Sequence, residues 1–245
     1  MPRFFLSHDE CTASFPSLTL TGDDARHVGL SLRMAVGDAL TVSDGEGTDH
    51  LCVIEQITPS TVQLRAKESR ASQSEPPYRL TLYQAVPKGD KLEEIVQKAV
   101  ELGCARIVPF LSEHCVSRPD AKKWAHKKDR LSRIALEAAK QCGRGRIPTM
   151  ADLLPFDGML DALKGETLSL FCYENERTHT LPRTLPCDVP PSIALIVGSE
   201  GGFSQKEAEQ IETAGALAVS LGTRILRCET APLYALAVIS SHYEL

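Results

Sequence analysis

The feature that most constrains this chain lies in its last quarter, where a five-residue aliphatic run, Ile193–Val197, opens directly onto Gly198-Ser199-Glu200-Gly201-Gly202-Phe203-Ser204. An uninterrupted β-branched and aliphatic pentamer reads as a strand covered on both faces, which commits this region to a parallel sheet layered with helices. The three glycines keep Cβ atoms out of the turn and let main chain approach a partner closely. Ser204 and Glu207 have the spacing of a capping box, so a helix begins there with its unpaired N–H groups facing the loop. The design is then repeated: Leu217–Leu221 predicts a short strand, Gly222 frees its turn, and Arg224 and Arg227 precede an apolar helix over Ala231–Tyr243. Each loop also fits a plain strand-to-helix turn, and arginines at a helix start are commonly just solvated.

Neither loop carries an established phosphate-binding pattern, because Gly-x-x-x-x-Gly-Lys-Ser/Thr and Gly-x-Gly-x-x-Gly are both absent from the chain. There is no apolar run long enough to span a membrane and no basic-then-apolar leader, so a cytoplasmic protein is expected. The 8 cysteines show no Cys-x-x-Cys pair and no clustering with histidine, which predicts free thiols rather than a disulfide frame. His114, Cys115 and His126 make no ligand set, and no metal is expected.

Alternation in Ala39–Ser43, His50–Ile57 and Thr61–Lys67, between Asp44-Gly45-Glu46-Gly47 and Thr58-Pro59-Ser60 turns, predicts a small antiparallel, barrel-like β-domain over residues 1–70. The polar, proline-bearing stretch 71–79 reads as a linker. From residue 80 to 245 strands and helices alternate, starting with Leu80–Val86, a helix from Asp90 and the strand Ala105–Leu111. Asp90 and Glu93 are spaced as a capping box, Leu92, Ile95, Val96, Ala99 and Val100 share one face, and Gly103 suits the helix end.

A net charge of −5 argues against a polyanionic partner, but the distribution reverses that argument. Between Ser117 and Arg146, ten basic residues face only Asp120, Asp129 and Glu137, a local net charge of +7. Leu131, Ile134, Ala135 and Ala138 share a helical face, which turns Lys122, Lys123, Lys127 and Lys128 outward as either a phosphate-binding surface or an ordinary solvated one.

Taken together, the first loop and Leu221-Gly222-Thr223-Arg224-Ile225-Leu226-Arg227-Cys228-Glu229-Thr230-Ala231 resemble the RsmE family of bacterial 16S ribosomal RNA uracil-N3 methyltransferases, a branch of the SPOUT superfamily. Met1-Pro2-Arg3-Phe4-Phe5, His27 with Arg33, Lys88-Gly89-Asp90-Lys91-Leu92-Glu93 and the run from Glu137 to Arg144 extend the resemblance over most of the chain. Ser199 departs from the pattern, standing where the family usually has proline. The resemblance implies an α/β SPOUT domain over 80–245, its parallel sheet flanked by helices and closed by a C-terminal trefoil knot, preceded by a PUA-like β-barrel RNA-binding domain. It implies S-adenosylmethionine held bent by main chain of three loops: Cys172, Tyr173 and Glu174; Gly198, Ser199, Glu200, Gly201 and Gly202; Leu221 and Gly222 with Ile225, Leu226 and Arg227. It further implies a homodimer through the C-terminal helix and a substrate in 16S ribosomal RNA of the small ribosomal subunit. RNA contacts would come from Arg3, His27, Arg33, Lys88, Lys122, Lys123, Lys127, Lys128, Gln141 and Arg144.

Methylation at uracil N3 is an in-line displacement at a sulfonium-bound carbon, and N3 has no usable lone pair until its proton leaves. The site therefore requires a base, or positive groups that acidify the imide. Glu200 and Glu229 are the carboxylate candidates, with cofactor anchoring or helix capping as alternative uses. Arg224 and Arg227 are the candidates for stabilising charge on the uracil carbonyl oxygens. Gly201→Val is expected to abolish cofactor binding by filling the space where main chain meets ligand. A ribose 2′-O-methyltransferase of the same superfamily and an RNA-binding protein without catalysis remain open at this point.

Overall fold

The computed structural model describes residues 1–245, which divide into two compact units: Met1–Glu75 with Ala139–Ile147, and Pro76–Ala138 with Pro148–Leu245. In the first, β1 (Arg3–Phe5), α1 (His8–Ser14), β2 (Ser17–Thr21), α2 (Gly22–Arg26), β3 (Ala39–Ser43), β4 (Thr48–Ile57) and β5 (Thr61–Ala71) surround one apolar core. The strand order is β1-β3-β4-β5-β2, with β1 parallel to β3 and the other pairs antiparallel. Leu18, Leu20, Leu40, Val42, Ile54, Val62 and Leu64 point inward at the alternate positions that a strand requires. Neither β1 nor β2 is anticipated above, because three and five residues are too few for a period to stand out.

The boundary also differs from the sequence reading. β5 continues to Ala71, and the stretch read as a linker contributes Glu75, whose carboxylate accepts from Arg144 Nη2 at 2.6 Å and from the N–H groups of Gly145 and Arg146 at 2.9 and 3.1 Å. With Lys140 paired to Asp24 at 2.9 Å, these bonds tie Ala139–Ile147 into the first unit.

The second unit contains β6 (Arg79–Ala85), α3 (Lys91–Glu101), β7 (Arg106–Leu111), α4 (Ala121–Cys142, its last turn in the first unit), β8 (Thr149–Met150), β9 (Leu154–Pro155) and α5 (Phe156–Leu163). It continues through β10 (Leu168–Cys172), α6 (Leu181–Thr184), β11 (Ser192–Val197), α7 (Gln205–Thr213), β12 (Leu217–Val219) and α8 (Thr230–Glu244). All its strands are parallel, in the order β12-β10-β11-β6-β7-β8, with β9 also on β7. Every residue of β11 is buried, and each buried aliphatic side chain there contributes about 1.5–3 kcal/mol relative to exposure. α7 forms the expected Ser204–Glu207 capping box. α3 does not form its own: Asp90 sits at φ −98° and ψ 6° with no side-chain cap, and Glu93 pairs instead with Arg130 at 2.7 Å. No helix is long and apolar enough to cross a membrane.

Strand order positions the site. After β11 the chain returns past β10 to add β12 on its far side, so three loops leave adjacent strands at the same sheet edge, where open parallel sheets place their ligands. The end of β12 is bonded on both sides. Tyr173 N–H donates to Val219 O at 3.1 Å, whereas Ser220 N–H donates to His179 O at 2.8 Å and its carbonyl accepts from Leu181 N–H at 3.0 Å.

Candidate active site at the ends of three strands

A cavity of about 470 Å³, in the size range of small-molecule sites, opens among Cys172–Glu174, Val197–Gly202 and Ser220–Cys228, with Lys91, Arg177 and Ala231 completing its wall. The predicted cofactor residues Cys172, Tyr173, Glu174, Gly198, Ser199, Glu200, Gly201, Gly202, Leu221, Gly222, Ile225, Leu226 and Arg227 all line it, as does Arg224. Glu229 lies outside the lining and reaches the cavity through Lys91. Phe171 is a core aromatic, packed edge-on against Phe203, while Tyr173 remains at the cavity.

The first loop is a tight turn made possible by glycine. Gly202 donates its N–H to Ser199 O at 3.0 Å and has φ +62°, where a side chain is strained. A Cβ on Gly202 would run into the Glu174 carboxylate, and one on Gly198 would stand 3.1 Å from Gly202 Cα. Gly201 has no left-handed φ, and a Cβ there would lie 2.7 Å from His114 Cβ. This corrects the expectation for Gly201→Val: the added side chain would strike His114 before it filled ligand space. Ser199 is 7% exposed, and its hydroxyl has no partner in the protein.

The electrostatic centre is a residue that the sequence reading quoted only as part of a motif. Lys91 Nζ lies 3.0 Å from Glu200 Oε1 and 3.2 Å from Glu229 Oε2. Glu200 also accepts the Lys88 N–H at 3.1 Å, and Glu229 the Cys228 thiol at 3.2 Å. Burial alone would raise the Glu200 carboxyl, but Lys91 and main-chain N–H groups outweigh it and hold the group below its ordinary value. The same balance, with Cys228 and Lys91 opposing burial, lowers Glu229. The Glu200 and Glu229 hydrogen bonds in turn push Lys91 up. Burial and the Glu229 bond push the Cys228 thiol up to about 12, leaving it inert. Glu229 is the N-cap residue of α8 but makes no side-chain cap bond, so helix capping is not its use. Such carboxylates are weak proton acceptors, whereas the exposed Arg224 and Arg227 carry unpaired cationic groups at the cavity.

The predicted RNA contacts divide. His27 and Arg33 are exposed on the first unit, and Lys88, Lys122, Lys123 and Gln141 are exposed along the chain. Lys123 pairs with Asp120 at 3.5 Å, Lys127 donates to Gly89 O at 3.2 Å and Lys128 pairs with Asp152 at 2.6 Å, so all of the lysine quartet but Lys122 is engaged. Arg3 and Arg144 depart from expectation. The Arg3 side chain is 13% exposed and held by Asp49 and Ser43, while Arg144 is 2% exposed on Glu75. A buried guanidinium is retained only with its charge paired, which makes both residues architectural in this structure.

Residues 74–240 match the family described as RNA methyltransferase domain, and residues 20–67 the RNA methyltransferase PUA domain. Ribosomal RNA small subunit methyltransferase E of Bacillus subtilis (strain 168) is 32% identical over 253 residues, covering 100% of this chain and 98% of its own length. The protein of the same name from Synechocystis sp. is 35% identical over 230 residues, covering 93% of this chain and 74% of its own. The crystal structure of a Ribosomal RNA small subunit methyltransferase E from Neisseria gonorrhoeae bound to S-adenosyl methionine has a TM-score of 0.88 at 30% identity, covering 99% and 98% of the two chains. A structure from Legionella pneumophila, described with the bound cofactor SAM, has a TM-score of 0.85 at 32% identity, covering 98% and 97%.

Proposed function

The chain belongs to the ribosomal RNA small subunit methyltransferase E family, and from that premise we propose that it transfers the methyl group of S-adenosylmethionine to N3 of one specific uridine in 16S ribosomal RNA. The observation that carries this reading is the cavity wall, built from the main chain of three loops. Of the residues that line it, Leu221 and Arg224–Leu226 make no main-chain hydrogen bond within the protein, and the buried Ser199 hydroxyl is unpartnered. The buried hydroxyl needs a partner, and the open main chain, served by water while uncovered, offers donors and acceptors to a ligand that covers it. The residues present thus fit S-adenosylmethionine, which when bound supplies the electrophilic methyl group.

What remains for the protein is the N3 proton. Arg224 and Arg227 stabilise the negative charge that spreads onto the uracil carbonyl oxygens as that proton leaves. Glu200 and Glu229, bridged by Lys91, hold the two loops together rather than accept the proton. Cys172, Tyr173, Glu174 and the glycines of the first loop enclose the cofactor. His27, Arg33, Lys88, Lys122, Lys123 and Gln141 supply contacts to the RNA, mostly to phosphates, with the base read in the cavity.

The bonding of Val219 to Tyr173 on one side and of Ser220 to His179 and Leu181 on the other supports a chain threaded between β10 and the connection to β11, which is the path of a trefoil knot. Pairing through α8, which leaves Tyr234 exposed, would make the enzyme a homodimer. Its substrate places it in the cytoplasm.

The test is methyl transfer from labelled S-adenosylmethionine to small ribosomal subunits from cells lacking this protein, followed by mass spectrometry of the nucleosides. The expected product is 3-methyluridine. A ribose-methylated nucleoside would replace the base reading with the 2′-O one, and absence of cofactor binding would leave only RNA binding.

A further inference from the structure

We propose that His114 is the positioning residue of the cofactor loop, and that Gly201 is glycine because the His114 side chain occupies the space of its Cβ. The inference rests on the cavity being the S-adenosylmethionine site. His114 stands in the connection between β7 and α4, outside the residues assigned to the site above. Its Nδ1 lies 2.8 Å from Gly201 O. A carbonyl oxygen only accepts, so Nδ1 carries a proton, which both the imidazolium and one neutral tautomer provide.

The contact acts on one peptide group. The bond from His114 holds the carbonyl of the Gly201–Gly202 peptide, while the N–H of the same peptide donates to Ser199 O at 3.0 Å. With both ends clamped the plane of that peptide is fixed, and so is the direction in which the neighbouring main chain of the loop faces the cavity. The preceding residue of this strap between β7 and α4 reinforces it. Glu113 N–H donates to Glu207 Oε1 at 2.7 Å, and the other oxygen of that buried carboxylate accepts from Ser204 N–H at 3.0 Å. Arg118 stiffens the strap from behind through the Ser112 and Glu113 carbonyls at 2.7 and 3.2 Å. Adjacent residues of one connection therefore pin both ends of Gly201–Ser204.

Gly201 supplies an independent sign of the same arrangement. Its φ lies outside the left-handed region, so alanine is allowed by the backbone, yet a Cβ would stand 2.7 Å from His114 Cβ and 3.2 Å from Cγ. The requirement is imposed by the histidine and not by the turn.

The experiment measures S-adenosylmethionine affinity by calorimetry, methyl-transfer KM and kcat, and the Tm of each ligand-free protein. His114→Ala is expected to raise Kd and the cofactor KM about five- to tenfold with kcat at saturation within about twofold, as loss of one positioning hydrogen bond predicts. His114→Asn, whose amide N–H reaches the position of Nδ1, should restore both to near the wild-type values. Gly201→Ala should weaken binding about tenfold or more, and combining it with His114→Gly should return affinity to that of His114→Gly alone. If the double variant instead binds more weakly than either single one, Gly201 is glycine for the ligand's sake and the proposal is overturned. Unchanged Kd in His114→Ala, with the fold intact by Tm, overturns it as well. Failure of the unaltered protein to bind S-adenosylmethionine would overturn the cofactor reading itself and is seen before any variant is made.

Discussion

The two glycine-bearing loops are alike in composition and opposite in support. In Gly198–Gly202 most of the turn is braced: Gln84 Nε2 donates to Gly198 O at 3.1 Å, Gly202 closes onto Ser199, His114 holds the Gly201 carbonyl, and the Lys88 N–H holds the Glu200 side-chain carboxylate. In Leu221–Arg227 the comparable bonds are confined to its ends: the Ser220 hydroxyl meets the Gly222 N–H at 3.3 Å and the Gly222 carbonyl at 3.4 Å, and the Arg227 carbonyl receives the Thr230 and Ala231 N–H groups at 2.9 Å. Ile225, an apolar residue, is 84% exposed there. Unpaired main chain costs little while water reaches it and much when it is covered without a partner. The first loop is thus a finished wall, and the second is completed by what binds against it. A glycine turn and a nearby acidic residue therefore do not define a role until the partners of the main chain are known.

The largest effect is expected where the second loop meets the reacting base. Arg227→Ala should lower kcat/KM about 100- to 1000-fold while the S-adenosylmethionine Kd stays within about twofold, the loss typical of removing a donor to developing negative charge. If RNA affinity falls in parallel and kcat is kept, Arg227 docks substrate, and the second loop is no more chemical than the first.

Next come the glycines themselves. Gly202→Ala adds a left-handed strain of about 1–2 kcal/mol to a collision with the Glu174 carboxylate, so cofactor affinity should fall by one to two orders of magnitude. Gly222→Ala faces open space at φ +111° and meets only the backbone strain, so its loss should be smaller. A larger loss at Gly222 would invert the comparison and make the second loop the rigid one. Lys91→Gln tests the side chain that joins Glu200 of the first loop to Glu229, two residues past the second. It should weaken cofactor binding about tenfold and, by releasing Glu229, affect the second loop more, which protection from hydrogen exchange would show.

What could be read from the chain beforehand follows the range of the interactions. β11, its glycine turn and the Ser204–Glu207 cap are encoded within about a dozen neighbouring residues, and so are the strands β3 to β5. Turn chemistry marks the two glycine loops, while the full cavity lining, Cys172–Glu174 included, comes from the resemblance to the methyltransferase family. What escaped depends on residues far apart in sequence. Lys91 joins Glu200 to Glu229, His114 sits on Gly201, and Glu75 draws Arg144 into the first unit. Lys91 belongs to the Lys88–Glu93 motif and His114 to the set that makes no metal site, but no spacing marks either as a partner of a distant loop. Arg144 misled for the same reason: a run of positive charge does not reveal which members have a buried carboxylate waiting.

The smallest expected effect is a flat line, and it decides whether the braced loop takes part in proton removal. The Glu200 and Glu229 carboxyls lie below their ordinary value of 4.5, and Lys91 lies above its ordinary 10.5. A carboxyl lowered in the folded state contributes stability that is present above its unfolded value and lost as pH falls through the folded one. A raised lysine contributes below its unfolded value and loses that contribution as pH rises through the folded one. Between about pH 5 and 10 the charge of this triad is therefore constant. The S-adenosylmethionine Kd should stay within about twofold from about pH 6 to 9, and the transfer rate should rise with pH toward ionisation of the imide, with no step from either carboxyl. A step between about pH 5 and 7 that vanishes in Glu200→Gln would mean that Lys91 releases this carboxylate in the RNA complex. The first loop would then supply the base, and its bracing would serve to aim a proton acceptor rather than to build a wall.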